Sequence, residues 1–179
     1  MLFYSAKGEL HVLLTKRTED VEHHKGQISF PGGSHDENDS DLIETALRES
    51  EEEIGLPRDV VRVIGMFDEY ETPSGFAITP IVATAVALPP LTPHAVEVAE
   101  ILEVPVSLFM DRRNERIEQR NPFGVPLDVY FYRYDDHEIW GATAAILRSF
   151  LLSLRQSLEA TRLRERSHPI GNGVRRHRH

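Results

Sequence analysis

One strongly marked helix constrains this 179-residue chain more than any other feature. Asp41 with Glu44 three residues later is a capping-box type of start, and Gly55 followed by Pro57 is a stop. These signals predict a helix over residues 41–54. At about 100° per residue, four residues share its buried face: Ile43, Leu47, Ser50 and Ile54. The helix should therefore cover a hydrophobic layer of the domain.

The acidic residues of this helix form rows. Glu49 and Glu53 lie one turn apart beside the predicted buried face, and no basic residue shares their row. Like charges at this spacing repel, and a bound divalent cation would reverse the sign of that cost. Arg48 is four residues from both Glu44 and Glu52, and we expect it to brace Glu52. A solvated acidic face is the alternative interpretation.

The remaining pattern predicts strands interleaved with helices, which is typical of a mixed α/β layered domain. The predicted strands are 1–5, 10–17, 27–30, 60–69, 76–88, 99–104, 115–119 and 127–134. Further helices are predicted over 106–112 and 141–158. Composition, with 40% hydrophobic and 27% charged residues, fits one globular domain.

Composition also limits the chemistry and the partners. Without any Cys, a metal must be held by oxygen or imidazole, and a reducing cytoplasm is the expected location. The net charge of −9 combines an acidic body with six Arg and one acid in the last twenty residues. An acidic body suits divalent cations and argues against nucleic-acid binding. The uncharged stretch 72–96 carries five prolines, so we expect no membrane span.

The joint pattern of glycines, arginine and glutamates resembles the Nudix box, G-x5-E-x7-R-E-U-x-E-E-x-G-U. The matching residues are Arg48, Glu49, Glu52, Glu53, Gly55 and Leu56. Ser50 stands at the aliphatic position, Ser40 at the upstream Glu position, and Gly33 lies one residue further upstream than the motif places it. The resemblance implies a Nudix-like α/β/α sandwich with a mixed sheet. Residues 1–160 would form the hydrolase domain and 161–179 a basic tail, predicted to be disordered.

The resemblance also implies a metal-dependent pyrophosphohydrolase. Glu49, Glu52 and Glu53 would ligate Mg²⁺ or Mn²⁺, which are hard cations that prefer oxygen. Arg48 would orient a glutamate, and Glu97 is a candidate extra ligand or base. The metal would neutralise the diphosphate and activate a water.

A second motif narrows the substrate. The segment 13–33 is similar to L-L-T-x-R-(S/A)-x3-R-x3-G-x3-F-P-G-G of the coenzyme A pyrophosphatase branch, with Glu22 where that motif has Arg. The resemblance implies hydrolysis of coenzyme A or acyl-CoA to (acyl-)4′-phosphopantetheine and adenosine 3′,5′-bisphosphate. The predicted substrate-binding residues are Lys16, Arg17, Lys25, Gly26, Gly32, Gly33, Thr72, Ser74 and Gly75.

Two alternatives stay open at this point. Because of Glu22, the substrate could be another nucleoside diphosphate derivative such as ADP-ribose, or a nucleoside triphosphate. A non-catalytic nucleotide-binding regulatory domain is the alternative from another class of protein. A homodimer is compatible with the resemblance, and His23 and His24 are interpreted as surface or substrate-loop residues.

Overall fold

The computed structural model describes residues 1–19 and 25–167, so Glu22, His23 and His24 lie outside the described residues, as does 168–179. Its strands are β1 Leu2–Ala6, β2 Glu9–Arg17, β3 Ile28–Ser29, β4 Arg62–Met66, β5 Tyr70–Glu71, β6 Ala77–Ile78, β7 Ile81–Ala85, β8 Val98–Pro105, β9 Glu115–Arg120, β10 Leu127–Tyr134 and β11 His137–Trp140. Its helices are α1 Leu42–Ile54, α2 Val106–Met110 and α3 Gly141–Ser167.

The main sheet has six strands and is mixed. β1 pairs antiparallel with β2 and parallel with β7, and β4 lies outside β7. β2 also pairs with β8 along most of its length and with β3 near its end. The ends of β2, β3 and β8 therefore meet at one corner of the sheet.

The two faces of this sheet carry separate hydrophobic clusters because side chains alternate along a strand. Leu13 belongs to the cluster that includes Ile54 and Leu56 at the end of α1. Val12 and Leu14 belong to the cluster that includes Leu147 of α3. The sheet thus lies between α1 and α3, and the predicted α/β/α arrangement with a mixed sheet is confirmed.

A smaller antiparallel sheet of β9, β10 and β11 packs with α3. Tyr132 and Ile139 from this sheet are fully buried in the α3 cluster. Thr143 of α3 donates a hydrogen bond of 3.0 Å to the carbonyl of Ile28, which links α3 to β3. These contacts hold the corner that contains β3.

Several predicted boundaries were wrong. The strand expected over 76–88 is divided into β6 and β7, since Pro80 separates them and cannot donate to a ladder. The helix predicted over 141–158 continues as α3 to Ser167, so residues 161–167 are helical, and the domain boundary at residue 160 stays a prediction. Within the described residues, no helix combines the length and apolarity needed to span a bilayer.

Candidate active site

α1 begins and ends where its capping residues predict. The Asp41 side chain accepts a hydrogen bond of 2.8 Å from the Glu44 N–H, and Gly55 closes the helix with a left-handed φ of 66°. Beyond the helix end, the His94 N–H donates to the Glu53 carbonyl at 2.7 Å. The loop before β8 therefore fixes the last turn of α1, which carries Glu53.

Glu53 is the most enclosed acid of this helix. Its side chain is only 6% exposed, and Oε2 accepts a hydrogen bond of 3.1 Å from the Gly32 N–H. The Arg17 guanidinium lies 3.9 Å from Oε1. Burial raises the pKa of Glu53 to about 7; the Gly32 N–H and Arg17 oppose this rise, whereas the charges of Glu49 and Glu97 add to it. Glu53 is thus a desolvated carboxylate with two acidic neighbours.

The Pro31-Gly32-Gly33 loop approaches α1 so closely that a Cβ on Gly33 would displace the side chain of Glu49. A Cβ on Gly33 would lie 2.4 Å from the carboxylate carbon of Glu49. Gly32 has a φ of 147°, which residues with a Cβ rarely adopt, and this conformation brings its N–H to Glu53. The two glycines therefore let the loop lie against both Glu49 and Glu53.

Arg48 holds the acids on the outer side of the site. Its Nη1 lies 3.1 Å from both Glu49 Oε1 and Glu52 Oε2. The predicted contact with Glu52 is confirmed; Glu44, the other residue at that spacing, instead pairs with Arg58. Arg48 is therefore attached to two of the three predicted metal ligands.

Asp39 is the residue that sequence reasoning missed. Its buried carboxylate receives Nε and Nη2 of Arg48, both at 2.9 Å, and also a hydrogen bond from Thr45. Hydrogen bonds from Arg48 and the Asp36 N–H hold the pKa of Asp39 well below its usual range. The motif spacing could have revealed it: Asp39 follows Gly33 by the six positions that separate G from E, and the extra residue lies between Asp39 and Arg48.

The predicted metal ligands fit a divalent cation in chemistry and charge. Glu49 and Glu53 supply oxygen donors. The buried Glu53 carboxylate is repelled by the charge of Glu49, and a bound cation would offset this repulsion. Within the described ranges, no three carboxylate or imidazole groups are arranged around one point, and Glu49 and Glu52 both face Arg48. The set Glu49, Glu52 and Glu53 therefore stays a prediction.

The basic residues predicted to bind substrate separate into two groups. Arg17 lies at the site beside Glu53, and its Nε is buried without a hydrogen-bond partner among the described residues. Lys16 is on the opposite face of β2. It pairs there with Glu100 of β8, whose Oε2 lies 3.2 Å from Nε2 of His137. Lys25 is exposed beside Gly26, whose left-handed φ of 63° forms the turn before β3. The structure thus brings Arg17 alone of the three cations to Glu53.

The turn formed by Thr72, Ser74 and Gly75 is closed by its own hydrogen bonds. The Thr72 and Ser74 hydroxyls are 3.0 Å apart, and Gly75, with a φ of 85°, donates to the Thr72 carbonyl. This is the tip of the hairpin that joins β5 and β6. Within the described residues, this turn makes no hydrogen bond with α1, so its role in substrate binding stays a prediction.

Glu97 immediately precedes β8, beside the end of β2. Its carbonyl accepts a hydrogen bond of 3.0 Å from the Thr18 N–H, which fixes the backbone next to Arg17. Its carboxylate is 46% exposed and close enough to Glu53 to raise the pKa of that residue. The placement agrees with a group that could assist at the site from the solvent side.

Comparison with known proteins gives a consistent family. A family model described as the NUDIX domain matches residues 1–115. A relative from Pectobacterium atrosepticum, named Uncharacterized Nudix hydrolase NudL, is 37% identical over 149 residues, covering 80% of this chain and 74% of the relative. The protein of the same name from Photorhabdus laumondii is 40% identical, with coverage of 76% and 73%.

Solved structures agree with this result. RenU, a Nudix hydrolase from M. smegmatis, is 25% identical with a TM-score of 0.51, covering 60% of this chain and 68% of that chain. An Ap4A hydrolase from C. elegans is 13% identical with a TM-score of 0.51, covering 59% and 76%, and supports the fold alone. The chain therefore belongs to the Nudix hydrolases, a family of pyrophosphohydrolases that act on nucleoside diphosphate derivatives.

Proposed function

We propose that this protein hydrolyses the pyrophosphate bond of coenzyme A or acyl-CoA, giving (acyl-)4′-phosphopantetheine and adenosine 3′,5′-bisphosphate. The observation that carries the proposal is the position of the coenzyme A motif around Glu53. Arg17, near one end of that motif, and Gly32, at the other, both contact the Glu53 carboxylate. The segment 13–33, which resembles the coenzyme A motif, thus borders Glu53, a predicted metal ligand.

The site residues divide into three roles in this proposal. Glu49, Glu52 and Glu53 hold Mg²⁺ or Mn²⁺, which when bound neutralises diphosphate charge and lowers the pKa of a water. Arg48 positions Glu49 and Glu52 through contacts of 3.1 Å. Glu97, which is exposed to solvent beside Glu53, is suited to accept a proton from the attacking water.

Arg17 is the best candidate for a contact with the substrate phosphates. Its guanidinium keeps a buried Nε–H unpaired among the described residues, and a phosphate oxygen would satisfy this donor. Lys25, Gly26 and the hairpin tip at Thr72, Ser74 and Gly75 complete the proposed substrate-binding set. Lys16 would act only at a distance, because it lies across the sheet from Arg17.

Glu22 favours a second candidate within the same chemistry. A carboxylate at the position where the branch motif has Arg is unfavourable for the several phosphates of coenzyme A. ADP-ribose or a nucleoside triphosphate is then the alternative substrate. A domain that only binds nucleotides would cleave none of these compounds.

The test compares coenzyme A, acetyl-CoA, ADP-ribose and a mixture of nucleoside triphosphates, each with Mg²⁺ or Mn²⁺. Products are identified by mass, and kcat/KM is measured for every substrate cleaved. We expect phosphopantetheine and adenosine 3′,5′-bisphosphate from coenzyme A, with the highest kcat/KM of the set. An Arg17→Gln variant should lose affinity mainly for substrate, which appears as a raised KM.

The matched pair of variants is Glu53→Gln and Glu51→Gln. Both remove one carboxylate charge from α1, but Glu51 is exposed and pairs with Arg58 away from the site. Activity should disappear in Glu53→Gln and remain in Glu51→Gln. Cleavage of ADP-ribose or triphosphates without cleavage of coenzyme A would contradict the substrate proposal, and no cleavage by the folded wild type would favour a binding role.

A further inference from the structure

The outer edge of the main sheet carries a pattern unrelated to the active site. β4 is the last strand on its side of the sheet; it pairs with β7 on one edge, and no strand of the described residues lies along its other edge. A free edge presents unpaired N–H and C=O groups, which can accept a further strand. The edge of β4 is therefore open to a partner.

Four exposed side chains alternate along this segment: Arg62, Ile64, Met66 and Asp68. Ile64 is 65% exposed and Met66 63% exposed, which is unusual for large apolar side chains next to one another on a strand. Arg62 and Asp68 form no ion pair within the part of the chain that the structure describes. The exposed face of this segment is therefore positive, apolar, apolar and negative in order, and neither charge has an ion-pair partner among the described residues.

This order is complementary to itself when the strand is reversed. Antiparallel pairing of two copies about Gly65 places Arg62 opposite Asp68 of the partner subunit, and Ile64 opposite Met66 of the partner subunit. The charge pair and the apolar pair each occur twice, because a two-fold interface repeats every contact. Opposed charges and apolar pairs across neighbouring strands each stabilise a sheet.

We propose that β4 is the contact surface of a symmetric homodimer, in which the two main sheets join edge to edge. Gly65 suits the centre of such an interface, since nothing lies within 4 Å of the position a Cβ would take. We assign the partner as a second copy of this chain, because the order of charged and apolar residues on this face is complementary to its own reverse. A partner strand of uniform charge would leave Arg62 or Asp68 opposite a like charge.

The proposed interface is short, so we expect the dimer to be weak. β4 is only five residues long, Arg62–Met66, and its register with β7 shifts between Val63 and Gly65, a bulge that weakens pairing along the edge. The contact is therefore confined to residues 62–68 and is smaller than a standard stable interface. We expect a dimer that dissociates in the micromolar range and is in equilibrium with monomer.

Sedimentation velocity and light scattering over a range from low micromolar to several hundred micromolar protein test this proposal. Arg62→Asp and Asp68→Arg should each weaken dimerisation by about tenfold or more, since each variant places two like-charge pairs in the interface. The double variant restores opposite charges and should return the dissociation constant to near the wild-type value. Arg164→Asp, an exposed change of the same charge on α3, should have no effect.

Ile64→Lys provides a second variant that removes the apolar pairing without altering Arg62 or Asp68. Circular dichroism and thermal melting establish that each variant is folded. A wild type that stays monomeric at several hundred micromolar would overturn the proposal. So would a dimer that the two single charge variants leave intact, or a double variant that is weaker than both.

Discussion

Replacing Gly33 with Ala should reduce activity through the side chain of Glu49. The added Cβ would lie 2.4 Å from both the carboxylate carbon and Oε1 of Glu49, whereas ordinary contact begins at 3.4 Å. The carboxylate must therefore retreat by about 1 Å, which disturbs its contact of 3.1 Å with Arg48. Displacements of this size at a catalytic group can lower the rate by about 100-fold.

The backbone of Gly33 does not oppose the substitution, because its φ lies outside the left-handed region. We therefore expect a thermal midpoint close to that of the wild type together with a large fall in kcat at saturating Mg²⁺. Ser34→Ala is the control, since Ser34 contributes only its carbonyl to Arg48. A folded Gly33→Ala enzyme with kcat within a few fold of the wild type would refute the close contact between this loop and Glu49.

Three further predictions follow from named contacts. Asp39→Asn should lower activity by about 10–100-fold, because it removes the carboxylate that orients Arg48, and it should raise the Mg²⁺ concentration needed for half-maximal rate. Burial alone would raise the pKa of Glu115, but hydrogen bonds from Arg148 and Tyr132 hold it below its ordinary value of 4.5. Ionised Glu115 therefore stabilises the fold above pH 4.5, and this contribution is lost as the pH falls through the lower pKa of the folded state. The free energy of unfolding in urea should consequently depend less steeply on acid pH for Arg148→Gln than for the wild type. Leu147→Ala, at a fully buried site in α3, should reduce the free energy of unfolding by about 2–5 kcal/mol. Leu158→Ala, at a site that is 52% exposed, should change it by less than about 0.5 kcal/mol. Equal effects of the two substitutions would contradict the packing of α3.

The helix that carries the glutamates was predictable because its signals are local. Asp41, Gly55 and Pro57 mark its ends within a few residues, and the structure follows them. The burial of Glu53 was harder to predict, since helical spacing placed it only beside the buried face. Its enclosure comes from Gly32 and from Arg17, which lie in other elements.

Pairing between elements accounts for the other differences. Lys16 and Arg17 are both predicted to bind substrate, yet alternation along β2 places them on opposite faces of the sheet. The assignment of 10–17 to a strand already implied this difference. Arg48 donates its hydrogen bond to Asp39 across to an irregular loop, in which no residue periodicity could predict the contact. The end of α3 was placed too early because the helix continues past Leu158 without packing that its pattern could reveal.

Metal-dependent cleavage tests the account most directly, because every role assigned to the site depends on carboxylates that hold a cation. Mg²⁺ binding would be measured by titration calorimetry on the wild type, Glu53→Gln and Glu51→Gln, beside the rate of coenzyme A cleavage with and without EDTA. We predict that the wild type and Glu51→Gln bind Mg²⁺ and cleave, that EDTA stops both, and that Glu53→Gln loses binding and cleavage together. Undiminished Mg²⁺ binding and cleavage in a folded Glu53→Gln protein would contradict the assignment of the site.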